Sequence, residues 1–423
     1  MNQAPLWVED HPRPEGLTSD LPPETDYLVV GSGLTGLSTA HRLARAGKTV
    51  TVVDAGEIAG GASSINGGMV SPDVKAGIRT VLAYYGPKIA HEMWASTVRS
   101  VELVREIGKR PDIDAVTHES GIAALGQGSR QLKRFDQTAE WFRNRFGVDW
   151  QVVDARNIAT IVGGEYFNVA LLRPEGFGVH PARLAFGLAA QVRHAGAILV
   201  DHCDVISMRR VTTGMEVKTS RGPVRAGDVI LATNGYTTRN PSRELDRLVV
   251  SVGSYIIATE PVGDLAEVIF PGGTLTYTTK RLLTYQRRTH DDRIVLGGRV
   301  RLHPDLDPEE SARDLRENLT TYWPDLAEVE ITHVWGGRVG IPFDLIPHIG
   351  RIDGAWYAVG YAGHGVGLSC QLGHELAGML LGEDPPSVFS QVRHDGRFYY
   401  TGGDAWFLTP AYHISRALDR INV

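Results

Sequence analysis

Apolar and polar residues change their period repeatedly along this chain. DYLVV (26–30) is a short unbroken apolar run, the pattern of a strand buried on both faces. LSTAHRLARAG (37–47) then spaces apolar residues at 37, 40, 43 and 44, which is a helical period. TVTVVD (49–54) returns to a strand, closing a βαβ unit of about 30 residues. Residues 84–110 and SRQLKRFDQTAEWFRNRF (129–146) predict helices, with GIAALG (121–126) as a strand between them. Pro181 opens a helix over 180–196, since its missing N–H costs nothing in a first turn. AILVDHCDVISM, MEVKTS and VRAGDVILAT predict strands, as do SYIIATE, LLTYQRR and RIVLGG within 251–300. A helix over 308–321 starts on PEE, which suits the positive end of its dipole. WYAVGY (356–361) predicts a strand that runs into glycines, followed by a helix over 370–382.

These periods predict an α/β fold. A doubly wound, Rossmann-like nucleotide domain is interrupted by a second domain built on a mostly antiparallel sheet with helices. The reading divides the chain into an extended arm (1–24), nucleotide-domain segments 25–83, 180–250 and 335–392, second-domain segments 84–179 and 251–334, and a tail with a helix (393–423).

Composition narrows the function. The chain has 423 residues, 42% of them hydrophobic, enough for a large core. Its formal net charge is −6 without a basic block, which argues against nucleic acid as a partner. MNQAPLWVEDHPRP does not resemble a signal peptide, and no apolar run nears the roughly 18 residues of a membrane span. Cys203 and Cys370 form no CxxC pair and fit a reducing cytoplasm. No metal-ligand cluster stands out. The 48 glycines, by contrast, gather at junctions between strands and helices.

Gly31, Gly33 and Gly36 make GxGxxG between the first strand and helix, and Asp54 ends the second strand. That context gives the motif its chemistry. Gly31 allows the tight turn, Gly33 lets a pyrophosphate approach backbone, and Gly36 lets helix pack on strand. Ser32, Leu34 and Thr35 then sit at the helix N-terminus facing the phosphates, and Asp54, beside Ala55, accepts from a ribose. The fingerprint does not separate FAD from NAD. The next segment, GGASSINGGMVSP (60–72), does, because a loop of small residues lets backbone N–H groups reach something large and flat. GYAGHGVGLS (360–369) repeats the strand–glycine–helix logic and offers a second positive helix end.

Together GSGLTG with Asp54, the GASSINGG loop (61–68), DVILATNGY (228–236) and GYAGHGVGLS resemble the D-amino-acid oxidase and glycine oxidase superfamily. The similarity is greatest to its γ-glutamylputrescine oxidoreductase-like amine oxidases, and it spans nearly the whole chain. It implies bound FAD and oxidation of a C–N bond of a primary or secondary amine, giving an imine that water hydrolyses. The acceptor that reoxidises the flavin is O2 or an electron carrier. The cofactor positions it implies add Gly61, Ala62, Ser63, Ser64, Asn66, Gly67, Gly68, Met69 and Val70. Val205 matches the position that meets the adenine, and Thr233, Asn234 and Gly235 match a phosphate-side turn in which Asn replaces the usual Gly. Gly363, His364, Gly365, Val366, Gly367 and Leu368 complete the set. The cysteine that tethers flavin in sarcosine oxidases corresponds to Gly337, and the 63–68 loop holds no histidine, so the expected FAD is non-covalent.

The family's carboxylate clamp corresponds to Val339, one residue beyond Arg338, and a second carboxylate-binding position corresponds to Gly367. An α-carboxylate would be poorly paired there, so the expected substrate is an amine without one. Oxidation of an α-amino acid or N-methyl amino acid is the alternative. Tyr255, Tyr285, Trp335 and Tyr361 are candidate aromatic walls, and His364 is a candidate for proton transfer. Arg338, Arg299, Lys280 and Arg287 are candidates for binding a distant anionic group.

Overall fold

The computed structural model describes residues 1–299 and 301–421. Two large sheets organise it. The first carries the fingerprint strand Glu24–Val30, parallel to Val50–Val53 on one side and to Gly222–Leu231 on the other. Ile198–Val200 and Ala355–Val359 extend this parallel core outward. An antiparallel hairpin, Val205–Arg210 with Met215–Thr219, is added beyond Gly222–Leu231. Its apolar runs Leu28–Val30 and Val50–Val53 are buried at every position, as strands covered on both faces require.

The second sheet has eight strands and is antiparallel except where Leu275–Thr278 runs parallel to Ile122–Gly126. Its longest pair is Val249–Pro261 with Ile331–Pro342. This pairing corrects two domain boundaries. Residues 335–342 belong to the second sheet, and the break placed at 250/251 falls inside a continuous strand. The WGGRVG run hides this because its glycines interrupt the alternating pattern of a strand.

Other departures have identifiable causes. The arm is not wholly extended: Leu6–Asp10 is a short helix whose Trp7 is buried and donates to the Asn66 carbonyl at 2.9 Å. The helix expected from 84 runs over Ile78–Gly108, with a kink where Gly86 has φ 81° before Pro87. The chain at 60–72 is not all loop, for Ala62–Ile65 makes one helical turn. The last nucleotide-domain helix starts at Gly365, five residues earlier than expected, and runs to Leu381. Glycine is a poor helix former, so its first turn reads as loop. The packing explains the glycines. A Cβ on Gly373 would press into the Thr35 carbonyl, and one on Gly367 would lie 2.8 Å from Ser100 Oγ.

Candidate active site

One cavity of about 850 Å³ runs between the two sheets. At one end are Asp54, Asp204 and Val205; at the other are Arg173, Tyr277, Tyr285 and His364. The fingerprint forms its floor. Gly31 has φ 103°, and a Cβ there would lie 2.8 Å from the Ala232 carbonyl oxygen. Gly33 is the N-cap of Leu34–Arg45 and supplies no capping side chain; Leu34 N donates to Ser63 Oγ at 3.0 Å, and the rest of the first turn faces the cavity without a side-chain cap. Asp54 is held in place: Oδ2 accepts from Ser32 N at 2.7 Å and Oγ at 2.5 Å, and Oδ1 accepts from Gly56 N. A long cavity with glycine-rich walls, a helix N-terminus on its floor and a fixed carboxylate at one end fits an extended dinucleotide.

Most expected cofactor residues line this cavity. They are Gly31, Gly33, Leu34, Thr35, Asp54 and Ala55, then Gly61, Ala62, Ser63, Asn66, Gly67, Gly68 and Met69, and finally Val205, Thr233, Asn234 and Gly363 to Gly367. Six do not. Ser32 is fully buried and braces Asp54 and the Ala59 amide. Gly36 packs against the Gly31 carbonyl and Gly235 against the Val339–Gly340 backbone. Ser64 donates to the Ala59 carbonyl, while Val70 and Leu368 are core. Asn234, in place of the usual glycine, takes φ 43°, and its Oδ1 accepts from Gly360 N at 2.9 Å. It thereby ties the ends of two parallel strands together.

The expected substrate-side residues separate more sharply. Tyr285, Tyr361 and His364 line the cavity. Tyr361 shares a 2.7 Å hydrogen bond with Thr35. Tyr255 and Trp335 do not line it. The Tyr255 hydroxyl donates to the His303 carbonyl and accepts from Leu306 N. The Trp335 indole donates to the Ile65 carbonyl at 2.8 Å and packs edge-on against Trp7. Both are structural anchors. Arg338 borders the cavity, but its guanidinium turns out to Asp305 at 2.5 Å. Lys280 donates to the Tyr166 hydroxyl, and Arg287 holds the Val179 and Gly67 carbonyls, so neither faces the cavity.

The cations that do face it include two that sequence reasoning missed. Lys75 and Arg173 line the same end as Arg299. None of the three has a carboxylate within ion-pair distance among the described residues. Asp73, also lining this end, accepts from Val74 N instead, and burial raises its carboxyl above the usual range. Burial also pushes Lys75 down to about 8, helped by the Arg299 charge. His364 lies among these charges, and its Nδ1 has no partner. Burial first, then Lys75, Arg173 and Arg299, push its pKa down to about 3, so it is neutral. Strand register, not sequence, puts Arg173 at this end. Ile122 pairs with Arg173, and Ala124 with both Leu171 and Tyr277, so Ile122, Arg173 and Tyr277 share one sheet face.

Arg299, a candidate for a distant anionic group, thus faces the cavity together with Lys75 and Arg173. The usual clamp positions are empty of charge, yet three cations arrive from other elements.

Among the described residues no helix is long and apolar enough to cross a membrane, and no group of three His, Cys, Asp or Glu is placed to hold a metal. Comparison with known proteins agrees with the geometry. The model of the DAO family, described as FAD dependent oxidoreductase, matches residues 26–379. The chain is 31% identical over 360 residues to the γ-glutamylputrescine oxidoreductase of Escherichia coli, covering 85% of this chain and 84% of that protein. It is 28% identical over 377 residues to a glycine oxidase of Pseudomonas aeruginosa, covering 85% and 95%. The crystal structure of glycine oxidase from Geobacillus kaustophilus superposes with a TM-score of 0.75 at 21% identity, covering 89% of this chain and 100% of that one.

Proposed function

The chain belongs to the DAO family of FAD-dependent oxidoreductases, which act on CH–NH or CH–NH2 donors, and from that premise we propose that it oxidises the C–N bond of a primary or secondary amine to an imine, which water then hydrolyses. The observation that carries this reading is the far end of the cavity, where a neutral His364 and the Tyr285 ring adjoin the glycine-built dinucleotide channel. FAD, when bound, supplies the two-electron acceptor that takes hydride from the carbon next to nitrogen.

The protein's own residues prepare the amine. A protonated nitrogen has no lone pair to assist hydride loss, so the substrate must be neutral. Lys75, Arg173 and Arg299 disfavour a further positive charge, and Tyr277, Tyr285 and Ile256 wall off water. Both effects lower the amine pKa. His364 is a neutral imidazole at neutral pH and adds no positive charge beside the amine.

Non-covalent FAD is part of the proposal. Gly337 faces the cavity without a side chain to form a tether; flavin absorbance that stays with denatured, desalted protein would overturn it. Amine oxidation itself is tested by anaerobic mixing with mono-, di- and γ-glutamylated amines and with amino acids, reading loss of the oxidised-flavin band. Reduction should accelerate as pH rises from about 6 to 10, and a flat profile counts against the reading. Oxidation of an α-amino acid or N-methyl amino acid is the second reading. The three unpaired cations favour it, and bleaching by amino acids alone would select it.

A further inference from the structure

A second cavity, of about 340 Å³, opens on the outer side of the substrate domain beside the first. Arg173 and Tyr277 border both cavities. Strand register explains the adjacency. Leu275 pairs with Ile122 and Tyr277 with Ala124, while Ala124 pairs with Leu171 and Ile122 with Arg173. Alternate residues on these three strands point the same way. Ile122 and Arg173 therefore face the inner cavity, Ala124 and Leu171 face the outer one, and all lie on one continuous sheet surface.

The outer cavity is basic. Arg79 and Arg134 join Arg173 in lining it, with Gln131 and Thr138, and no acidic residue does so among the described residues. Arg79 is steadied by its bond to the Gln137 carbonyl at 2.8 Å and by the Trp141 ring at 4.8 Å. Arg173 stacks over Trp150 at 4.2 Å with its Nε unpartnered. A guanidinium held flat by an aromatic ring, bordering the cavity with no carboxylate in ion-pair distance among the described residues, suits a planar anion. Neighbouring carboxylates are otherwise engaged: Glu175 accepts from the Trp150 indole, and Asp73 accepts from the Val74 amide.

We propose that the outer cavity is a carboxylate-binding subsite of the reaction site. The substrate is an extended amine whose carboxylate lies several bonds from the reacting C–N bond. Its amine end occupies the inner cavity beside Tyr285 and His364, and its acid end passes Tyr277 to Arg173, Arg79 and Arg134. This rests on the amine-oxidation reading and deepens it.

The test uses holoenzyme and three probes of equal length: 6-aminohexanoate, 6-aminohexanamide and n-hexylamine. Dissociation constants are read from the perturbed flavin spectrum. The acid should bind about ten- to a hundredfold tighter than its amide, as a charge-assisted hydrogen bond provides. That ratio should collapse in Arg173→Leu, recover in part in Arg173→Lys, and shrink in the Arg79→Ala/Arg134→Ala double variant. Should Arg173→Leu fail to fold, the exposed Arg79/Arg134 pair decides. Equal affinity for acid and amide in the wild type, or a preference that survives these substitutions, overturns the subsite. Anaerobic bleaching separates the two proposals. Tight acid binding with no bleaching by any amine removes the oxidase reading and keeps the subsite; equal bleaching by acid and amide at equal affinity does the reverse.

Discussion

Adding one methyl group at Gly67 should loosen the cofactor site by a calculable amount. Gly67 has no left-handed backbone, so alanine there costs nothing in φ. The cost is steric. An ideal Cβ would lie 2.5 Å from Tyr285 Cε2 and 2.9 Å from Cδ2. Carbon atoms rest at about 3.5–4.0 Å, so the ring must retreat by roughly 1 Å. It cannot retreat over the adjacent strand without leaving its seat on Gly297, its direct cross-strand partner, so it moves into the cavity. Overpacking of this kind costs about 1–3 kcal/mol. Expressed wholly against bound FAD, that is about a 5- to 150-fold weaker dissociation constant. Titration of apoprotein with FAD, followed by flavin fluorescence, measures it. The decisive comparison is Gly67→Ala in a Tyr285→Ala background. Removing the ring removes the clash, so the coupling should be as large as the single effect and opposite in sign. Gly67→Ala within twofold of wild type, or simple additivity of the two substitutions, refutes the reasoning.

Three further outcomes follow from the same geometry. Arg338→Ala should change KM for any acidic amine by less than about threefold, because its ion pair with Asp305 is half in solvent and worth at most about 1 kcal/mol; a tenfold rise would restore Arg338 as a clamp. Lys75, pushed down to about 8 by burial, is an ammonium below that pH and a neutral amine above it. Lys75 lines the amine end, so n-hexylamine should bind more tightly as pH rises through about 8, and Lys75→Met should remove that limb while leaving any limb from the ligand's own amine. Burial pushes the Cys370 thiol up to about 12, so iodoacetamide at pH 8 should label it only in unfolded protein, which peptide mass spectrometry reads directly.

Local signals carried the nucleotide domain and failed at its seams. The βαβ unit was legible because an unbroken apolar strand, a glycine turn and a 3.6-residue period follow one another within one short segment. The strand Ile331–Pro342 was not, since Gly336, Gly337 and Gly340 erase the alternation by which a strand is recognised. Those glycines answer tertiary demands. A Cβ on Gly336 would meet the Tyr255 ring, and one on Gly340 would meet Asn234 and the Gly235 amide. The first turn of Gly365–Leu381 was missed for the same reason: its glycines serve helix packing, and propensity alone reads them as loop. Trp7 was hidden differently. Its partners, Asn66, His180 and Trp335, come from three distant segments, and nothing local marks the arm that bears it as packed.

The substrate side shows why a motif can be read correctly and still mislead about charge. Val339 and Gly367 leave the usual clamp positions without a cation, and from those two residues alone the pocket reads as apolar. Lys75 comes from the segment after the 60–72 loop, Arg173 from the end of a strand and Arg299 from the end of another. Each is an isolated basic residue in sequence, and only the fold sums them. Their sum has a consequence for selection. A bare alkylammonium approaching three like charges and one buried carboxylate is repelled, while an amine that carries its own carboxylate brings the compensating charge with it. The carboxylate attracts the molecule and the cations then help strip the proton from its nitrogen. Arg173, which borders both cavities, would thus serve recognition and activation together, which is why its removal should change the acid-to-amide ratio and the pH profile of amine binding at once.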